Sequence, residues 1–335
     1  MDKKDDSCSR RGFLMAGGLI AGAQLVGTSA SAQEEAAEEA KPFSNPVAYK
    51  FMIGDIEAWS ISDGYFAPKQ GVTLMYPESE RPAMIESLKK EGEPLDRLPL
   101  YVNILVIRKG KDVIVFDAGF GAPDMSWKGW FLRGLADIGI RPEDVTACFL
   151  SHGHTDHIAG FLHEGKPTFP NAPIYATKAE FDFWTSDNPD FSMSRRNPER
   201  IPKMVKTIRQ HFLDLKPVMK LVEPGAEFFD GMVVVEDGSG HTPGHAFFRI
   251  RSGDEELVHI ADVAHHHVLM FEKPEWVLAW DHNPVKALAT RAKVFKELSE
   301  KHSRVFGFHL AFPGLGRVVA TDTGHRWAPE RYEWK

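Results

Sequence analysis

The sequence SHGHTDH at residues 151–157 constrains this chain more than any other feature. It places three histidines and one aspartate within six positions, directly after an apolar run at 147–150 that predicts a buried strand. Imidazole nitrogens and carboxylate oxygens are the groups that hold Zn²⁺ and similar divalent cations, and a short turn presents closely spaced ligands together. The motif therefore predicts a metal site at the end of a strand.

Three later segments each place a candidate ligand at or near the end of a predicted strand. His241 lies in the turn-forming sequence GHTPGH, Asp262 ends the run LVHIAD, and His309 ends the run VFGFH. Each is weak evidence alone, because a histidine or aspartate at a strand end is more often a structural residue. Together with the first motif they favour one shared site, because α/β sheets build their sites at strand ends.

This order of motifs resembles the metallo-β-lactamase-fold hydrolase superfamily: H-x-H-x-D-H, then GHTPGH, then a strand-end aspartate and a strand-end histidine. Within the superfamily, the segment FHLAFPGLG at 308–316 is similar to the branch of methyl parathion hydrolase-like enzymes and quorum-quenching lactonases. The resemblance extends from about Val47 to Trp334. It implies an α+β fold, a four-layer αββα sandwich with a dinuclear metal site at one edge.

The resemblance also implies which residues hold two divalent metal ions. One ion would be held by His152, His154 and His241, and the second by Asp156, His157 and His309, with Asp262 bridging the two. Zn²⁺ fits such nitrogen and oxygen ligands best, while Mn²⁺, Co²⁺ and Fe²⁺ stay open. None of these positions is a cysteine, which makes hydrolysis of β-lactam antibiotics less favoured.

The expected nucleophile is a hydroxide bridging the two metal ions, because metal binding lowers the pKa of water toward neutrality. Asp262 is predicted to hold the metal pair and to orient that hydroxide. His265 occupies the place where lactonases of this fold carry a tyrosine near the substrate. It either donates a hydrogen bond to a substrate oxygen or is a supporting or surface residue of the run 265–267. Asp117 and His245 are expected to support the ligands rather than to bind metal.

The sequence defines the substrate pocket less well. Trp184, Phe120 and Trp127 are candidate pocket residues, and Trp184 is favoured because the parathion-hydrolase branch has a pocket tryptophan at a similar offset from the metal motif. Each of the three could instead be a core or lid residue. Aromatic walls favour a neutral, apolar substrate. Arg195 and Arg196 are expected to form a solvated loop face.

The rest of the chain predicts strands alternating with helices. One helix is expected from about Pro284 to Lys301, with one apolar face formed by Val285, Leu288, Ala292, Phe295 and Leu298.

Residues 1–32 predict a twin-arginine export signal that is cleaved. SRRGFLM at 9–15 carries the arginine pair, an apolar stretch follows, and ASA at 30–32 offers a cleavage site. The apolar stretch is too short and glycine-rich for a stable membrane anchor. Residues 33–44 predict a flexible acidic leader, and 45–335 a single hydrolase domain. The expected location is the periplasm or the extracellular medium, reached in the folded state through the twin-arginine machinery.

Charge and cysteine content limit the partners. The chain has 47 acidic and 40 basic residues and a formal net charge of −7, without basic runs, so no nucleic-acid partner is expected. Cys8 would leave with the signal, and Cys148 alone cannot form an intrachain disulfide. A monomer and a homodimer are both compatible with these features.

These observations predict an exported dinuclear metal hydrolase that acts on a lactone, ester or phosphotriester bond of a small apolar molecule. The alternatives are a periplasmic metallo-β-lactamase and, from another class, a di-iron oxidoreductase. The oxidoreductase is disfavoured because such enzymes usually carry a flavin domain, for which this chain has no room.

Overall fold

Two seven-stranded β-sheets dominate the computed structural model, which describes residues 47–121 and 128–331. The described residues belong to one compact unit that spans Asn45–Lys335. The predicted export signal and the acidic leader lie outside the described residues, so both stay predictions.

The strands of the described ranges are as follows, in chain order: β1 Ala48–Ile53, β2 Ile56–Phe66, β3 Met75–Tyr76, β4 Leu100–Lys109, β5 Asp112–Phe116, β6 Ala147–Phe149, β7 Leu162–His163, β8 Lys166–Pro167, β9 Ile174–Thr177, β10 Met219–Val222, β11 Glu227–Phe228, β12 Val233–Asp237, β13 Ala246–Ser252, β14 Glu255–His259, β15 Val277–Leu278, β16 Arg304–Phe306, β17 Leu315–Ala320 and β18 His325–Pro329. The helices are α1 Arg81–Lys90, α2 Phe131–Asp137, α3 Thr155–Ile158, α4 Lys178–Thr185, α5 Ile201–Leu215, α6 Leu269–Glu272 and α7 Pro284–Glu300. None of these helices is long and apolar enough to cross a membrane.

Both large sheets combine antiparallel and parallel pairing. The first has the order β1-β2-β4-β5-β6-β9-β10, antiparallel up to β5 and parallel from β5 to β10. The second has the order β11-β12-β13-β14-β16-β17-β18, with one parallel pair, β14 and β16. Two short antiparallel pairs, β3 with β15 and β7 with β8, lie outside the large sheets.

Strand β4 shows how the layers form. Leu105 and Ile107 point into the core between the two sheets, whereas Ile104 and Val106 point into the core beneath the helices. Alternate side chains of a strand face opposite sides, so a sheet covered on both faces needs an almost continuous apolar run. Helices α2, α4 and α5 contribute to the core on the outer face of the first sheet, and α1, α6 and α7 to that of the second. The predicted four-layer αββα sandwich is therefore confirmed.

Helix α7 begins as its sequence predicts, but only part of its predicted apolar face is buried, namely Phe295 and Leu298. The Asn283 side chain accepts a hydrogen bond from the Lys286 amide (3.0 Å), and Pro284 occupies the first turn. Val285, expected on the buried face, is 70% exposed, and Arg291 is buried instead. The helix is thus rotated from the predicted orientation, and it brings a guanidinium under the metal-site edge.

Candidate metal centre

Four strands end at the same edge of the sandwich, and a candidate ligand follows each end. The 151–157 loop follows β6, and its last residues form the short helix α3. His241 follows β12, Asp262 follows β14, and His309 follows β16. The sequence motif is therefore brought together with three side chains that lie 84 or more positions further along the chain.

Histidine ring nitrogens converge in the first donor group. His154 Nδ1 lies 2.8 Å from His152 Nε2 and 2.9 Å from His241 Nε2. One ring hydrogen cannot satisfy both contacts, whereas a cation among the three nitrogens satisfies all of them. Together with an oxygen of Asp262, all donor atoms of this group lie within 4.8 Å of one another.

A second donor group consists of Asp156, His157 and His309, whose donor atoms also lie within 4.8 Å of one another. His309 Nε2 is 3.5 Å from Asp156 Oδ2, and His309 Nδ1 donates to the Tyr101 carbonyl at 2.7 Å. That hydrogen bond fixes the ring so that Nε2 faces the site.

Asp262 lies between the two groups. Its Oδ1 is 3.2 Å from His157 Nε2, and its Oδ2 is 3.2 Å from His241 Nε2 and 3.3 Å from His309 Nε2. Asp262 Oδ1 and His157 Nε2 are buried and have no hydrogen-bond partner within the described part of the chain. Buried polar atoms without partners are costly, and a divalent cation would satisfy both. The donor set therefore fits a divalent metal site.

Burial and mutual charge prepare these groups for metal binding. Burial holds the pKa values of His152 and His154 well below their ordinary value, so both rings are neutral and have a free lone pair. Burial acts to raise the pKa of Asp262, but the surrounding histidines, His157 foremost, outweigh it and hold that pKa well below its usual range. The site thus combines neutral rings at His152 and His154 with an ionised central carboxylate. Burial acts to lower the pKa values of His157 and His241 as well, but nearby carboxylates, Asp262 foremost, outweigh it and raise both.

Asp117 supports the first-sheet ligands, at the end of β5. It adopts a left-handed backbone conformation (φ 59°) that turns the carboxylate under the motif. Its oxygens accept from the Ser151 amide and hydroxyl, both at 2.7 Å, and from His157 Nδ1 at 2.8 Å. The residue therefore occupies the supporting position expected from the sequence.

Two buried residues form hydrogen bonds that hold the second-sheet ligands: His245, which the sequence predicts, and Asp281, which it does not. His245 donates through Nδ1 to the Gly238 carbonyl (2.7 Å), and its Nε2 accepts from the Asp262 amide (3.1 Å). Asp281 is buried and accepts from His241 Nδ1 at 2.8 Å, with Arg291 Nη2 3.5 Å from its other oxygen. Neither Asp281 nor Arg291 lies in a ligand motif, so no local pattern indicates their role.

Glu180, in the first turn of α4, connects the two ligand loops and was also missed. Its buried carboxylate accepts from the Gly153 amide (2.8 Å) and the Trp184 indole (2.6 Å) through Oε1. Its Oε2 accepts from the Thr242 hydroxyl (2.6 Å) and the Gly244 amide (2.9 Å). An acidic residue early in a helix is ordinarily a surface residue, so only the tertiary contacts reveal this role.

A cavity of about 170 Å³ opens on the donor cluster. Its floor consists of metal-site residues together with His265, which is 1% exposed and has Nε2 3.0 Å from Asp262 Oδ2. Phe66, Met204, Ile208 and Trp280 form apolar walls. The surface alternative for His265 is therefore wrong, whereas His267, two residues later, faces outward and pairs with Glu93 (3.0 Å).

The predicted pocket aromatics do not line this cavity. Trp184 is 1% exposed, and a Cβ atom on Gly153 would lie 2.7 Å from its Nε1, so the indole packs directly behind the ligand loop. Phe120 packs edge-to-face against Phe66 (6.0 Å between ring centroids) and contributes only through that wall residue. Trp127 lies outside the described residues.

The expectation of a solvated arginine pair is wrong for one of its members. Arg195 is exposed and stacks on Tyr76, 4.5 Å from the ring centroid. Arg196 turns inward and lines the cavity, with Nη2 2.7 Å from His154 Nε2 and 3.0 Å from the Trp280 carbonyl oxygen.

Comparison with known proteins places this arrangement of residues in a known family. The family model of the metallo-beta-lactamase superfamily matches residues 97–309. A probable metallo-hydrolase from Methanocaldococcus jannaschii is 36% identical over 52 residues, which are 16% of this chain and 23% of that protein. The chain thus matches less than a quarter of the length of this relative.

Solved structures match over far more of the chain. The dizinc quorum-quenching lactonase AidC, in complex with the product N-hexanoyl-L-homoserine, has a TM-score of 0.82 and 29% identity, over 86% of this chain and 100% of that one. The hydrolase AbOPH of the beta lactamase superfamily has a TM-score of 0.79 and 26% identity, over 87% of this chain and 100% of that one. A quorum-quenching N-acyl homoserine lactone lactonase with 17% identity and a TM-score of 0.53 shares the fold.

Proposed function

Because this chain belongs to the metallo-β-lactamase superfamily, we propose that it is a dinuclear metal hydrolase that opens lactone or ester bonds of small, largely apolar molecules. The position of Asp262 carries the proposal. Its two carboxylate oxygens lie 3.2–3.6 Å from ring nitrogens of both donor groups. A carboxylate in that position is suited to bridge two cations.

The proposed ligands are those that the two donor groups bring together: His152, His154 and His241 for one ion, Asp156, His157 and His309 for the other, and Asp262 for both. An all-nitrogen and oxygen set of this kind favours Zn²⁺. Bound there, the ions supply Lewis acidity toward a carbonyl oxygen and activate water at neutral pH.

His265 is proposed to act on the substrate from the cavity floor. Burial lowers the pKa of His265 to about 4, so the ring is neutral at pH 7 and retains one N–H donor. Its Nε2 lies 3.0 Å from Asp262 Oδ2, at the centre of the site. From this position a neutral imidazole can donate a hydrogen bond to a carbonyl oxygen as negative charge develops there.

The lactone class is favoured over the other substrates by two observations. Four apolar side chains line the cavity beside the donor cluster and a single cation, Arg196, so the cavity suits an uncharged ring or acyl group better than a doubly charged phosphomonoester or a nucleotide. AidC, which matches over most of both chains, is a lactonase that holds an N-acyl homoserine product. Phosphotriesters and β-lactams stay alternative substrates of the same metal chemistry.

The deciding experiment is a parallel kinetic assay of the purified protein, after metal analysis, on an N-acyl homoserine lactone, an aryl ester, a phosphotriester and a β-lactam. The highest kcat/KM is expected on the lactone. A higher value on the phosphotriester or the β-lactam would replace the lactone as the substrate. Turnover of none, with a redox-active iron content, would favour the oxidoreductase alternative.

We also propose export through the twin-arginine route, on the sequence of residues 1–32 alone. Replacement of both Arg10 and Arg11 by lysine is expected to keep the protein in the cytoplasm at its full precursor length. Normal export of this variant would contradict the proposal.

A further inference from the structure

Arg196 lies at the inner face of the 186–200 segment that joins α4 to α5. Local hydrogen bonds fix its backbone, since the Ser194 hydroxyl accepts from the Arg196 amide (3.2 Å) and the Asn197 side chain accepts from the Glu199 amide (2.9 Å). The guanidinium therefore enters the cavity from a defined turn. It is the one Lys or Arg side chain among the residues that line the cavity.

The charge of Arg196 is not matched by a carboxylate. Its guanidinium has hydrogen bonds to His154 and the Trp280 carbonyl, and no ion pair within the described ranges. Arg249, by contrast, pairs with three glutamates at 2.6–3.0 Å. Burial lowers the pKa of Arg196 to about 10, although Asp281, Asp156 and Asp262 act at longer range to raise it. A guanidinium has five N–H donors, and in the described structure only those of one nitrogen are used.

The contact with His154 is incompatible with metal binding by that ring. His154 Nδ1 faces the other two histidines of the first donor group, so Nδ1 is the atom suited to a metal ion. A ring that binds metal through Nδ1 keeps its hydrogen on Nε2. An N–H group cannot accept from a guanidinium, so in the metal-bound protein Arg196 keeps the Trp280 carbonyl as its acceptor and has further N–H donors available to an oxygen that enters the cavity.

We infer that Arg196 binds a second oxygen acceptor of the substrate, a carbonyl or carboxylate oxygen outside the scissile bond. This inference rests on the proposed function. The cavity supports a compact head group, because its volume of about 170 Å³ is below the roughly 300–1,000 Å³ of pockets that enclose a whole drug-sized ligand. Arg196 then selects lactones with an acylamino substituent on the ring over lactones with a plain alkyl substituent.

The test compares two substrates and three variants. The substrates are N-hexanoyl-homoserine lactone and an α-alkyl-γ-butyrolactone of matched chain length, which lacks the amide. The variants are Arg196→Met, Arg196→Lys and, as the matched control, Arg195→Met. Arg196→Met is expected to lower kcat/KM on the acylamino lactone about 10- to 100-fold, mainly through KM, the range for a lost charge-assisted hydrogen bond. On the alkyl lactone, Arg196→Met is expected to lower kcat/KM less than about threefold. Arg196→Lys is expected to recover part of the loss on the acylamino lactone. Arg195→Met is expected to leave kcat/KM on both substrates unchanged.

Two further measurements do not depend on turnover. Metal content per chain is expected to be equal in wild type and Arg196→Met, and calorimetry is expected to show weaker binding of the ring-opened acid N-hexanoyl-L-homoserine by the variant. An equal loss on both substrates, a lower metal content, or unchanged binding of the acid would each overturn the inference. If the wild type opens neither lactone, the proposed function fails, and the binding experiment still decides the role of Arg196.

Discussion

The first sheet supplies four metal-site side chains from one continuous loop, whereas the second sheet supplies three from three separate strand ends. Within the first half, the loop is held by Asp117, which bonds to the loop backbone and to a ligand ring, and Glu180 adds one further bond to the Gly153 amide. The second-sheet side is held ligand by ligand, with Asp281 on His241 and His245 on the Asp262 backbone. One carboxylate can orient several ligands when these lie close together in the sequence, whereas ligands from separate strand ends need separate hydrogen-bond partners.

Replacement of Asp262 tests whether the two halves form one centre. Asp262→Ala removes the carboxylate whose oxygens lie 3.2–3.6 Å from ring nitrogens of both donor groups. We therefore expect kcat/KM to fall by roughly three orders of magnitude, equal to about 4 kcal/mol of transition-state stabilisation. Metal content should fall while the circular dichroism spectrum stays unchanged. The exposed Asp254→Ala is the matched control. Near-normal turnover of Asp262→Ala would mean that the halves act separately.

Glu180 is the direct link between the halves, because it bonds to the loops on both sides. In Glu180→Gln, an amide NH₂ replaces one carboxylate oxygen and faces donors, so metal affinity is expected to fall about 100-fold. Trp184→Phe removes a single hydrogen-bond donor to Glu180 and is expected to lower metal affinity about fivefold. Chelator competition measures both. If both variants kept wild-type affinity, the link would be structural only.

Asp117 makes more hydrogen bonds to the first-sheet loop than Asp281 makes to the second-sheet ligands, so replacing Asp117 is expected to lower metal affinity more. Asp117→Asn disturbs three hydrogen bonds around the motif and is expected to lower metal affinity roughly 30-fold. Asp281→Asn disturbs one bond to one ligand and should lower it roughly 10-fold. Metal titration of the two variants in parallel measures the difference. A larger loss in Asp281→Asn would reverse the comparison.

Asp63, a buried carboxylate of the first sheet that is not among the proposed metal ligands, is expected to make the free energy of unfolding depend on pH. It accepts from the Phe120 and Phe131 amides (2.7 and 2.8 Å), and burial raises its pKa to about 6. Between pH 4 and 6 the unfolded chain releases this proton before the folded protein does. The contribution to the free energy of unfolding is therefore full below about pH 4 and falls by on the order of 2–3 kcal/mol as pH rises to 6.

Urea unfolding of the metal-free wild type and Asp63→Asn at several pH values between 4 and 7 measures this contribution. The difference between the two proteins should shrink or reverse in favour of the variant as pH rises. A pH-independent difference would show that Asp63 titrates as it does in the unfolded chain.

Wrong expectations have a common physical origin. The offset of Trp184 from the motif predicts a place in the pocket wall, but its indole packs against Gly153 behind the ligand loop. Arg196 was expected in solvent because paired arginines in a polar loop usually lie there, but the loop folds inward. The predicted apolar face of α7 is correct at Phe295 and Leu298 but not at Val285, because the buried face includes Arg291, whose guanidinium is satisfied by the Val263 carbonyl (2.7 Å) and Asp281. In each case a contact distant in sequence decided the environment.

The sequence alone determined the fold class, the metal motif and the strand ends on which further ligands lie. The metal motif and the strand ends could be read because ligands within one turn, and apolar periods within one strand, are local patterns, and the order of these motifs carries the resemblance that implies the fold class. The tertiary structure decided how the ligands are supported, which side chains line the cavity and where the arginines lie. Glu180, Asp281 and Arg196 bond to partners 27 to 84 positions away. Such contacts depend on how the two sheets and their helices pack, and no local pattern encodes them.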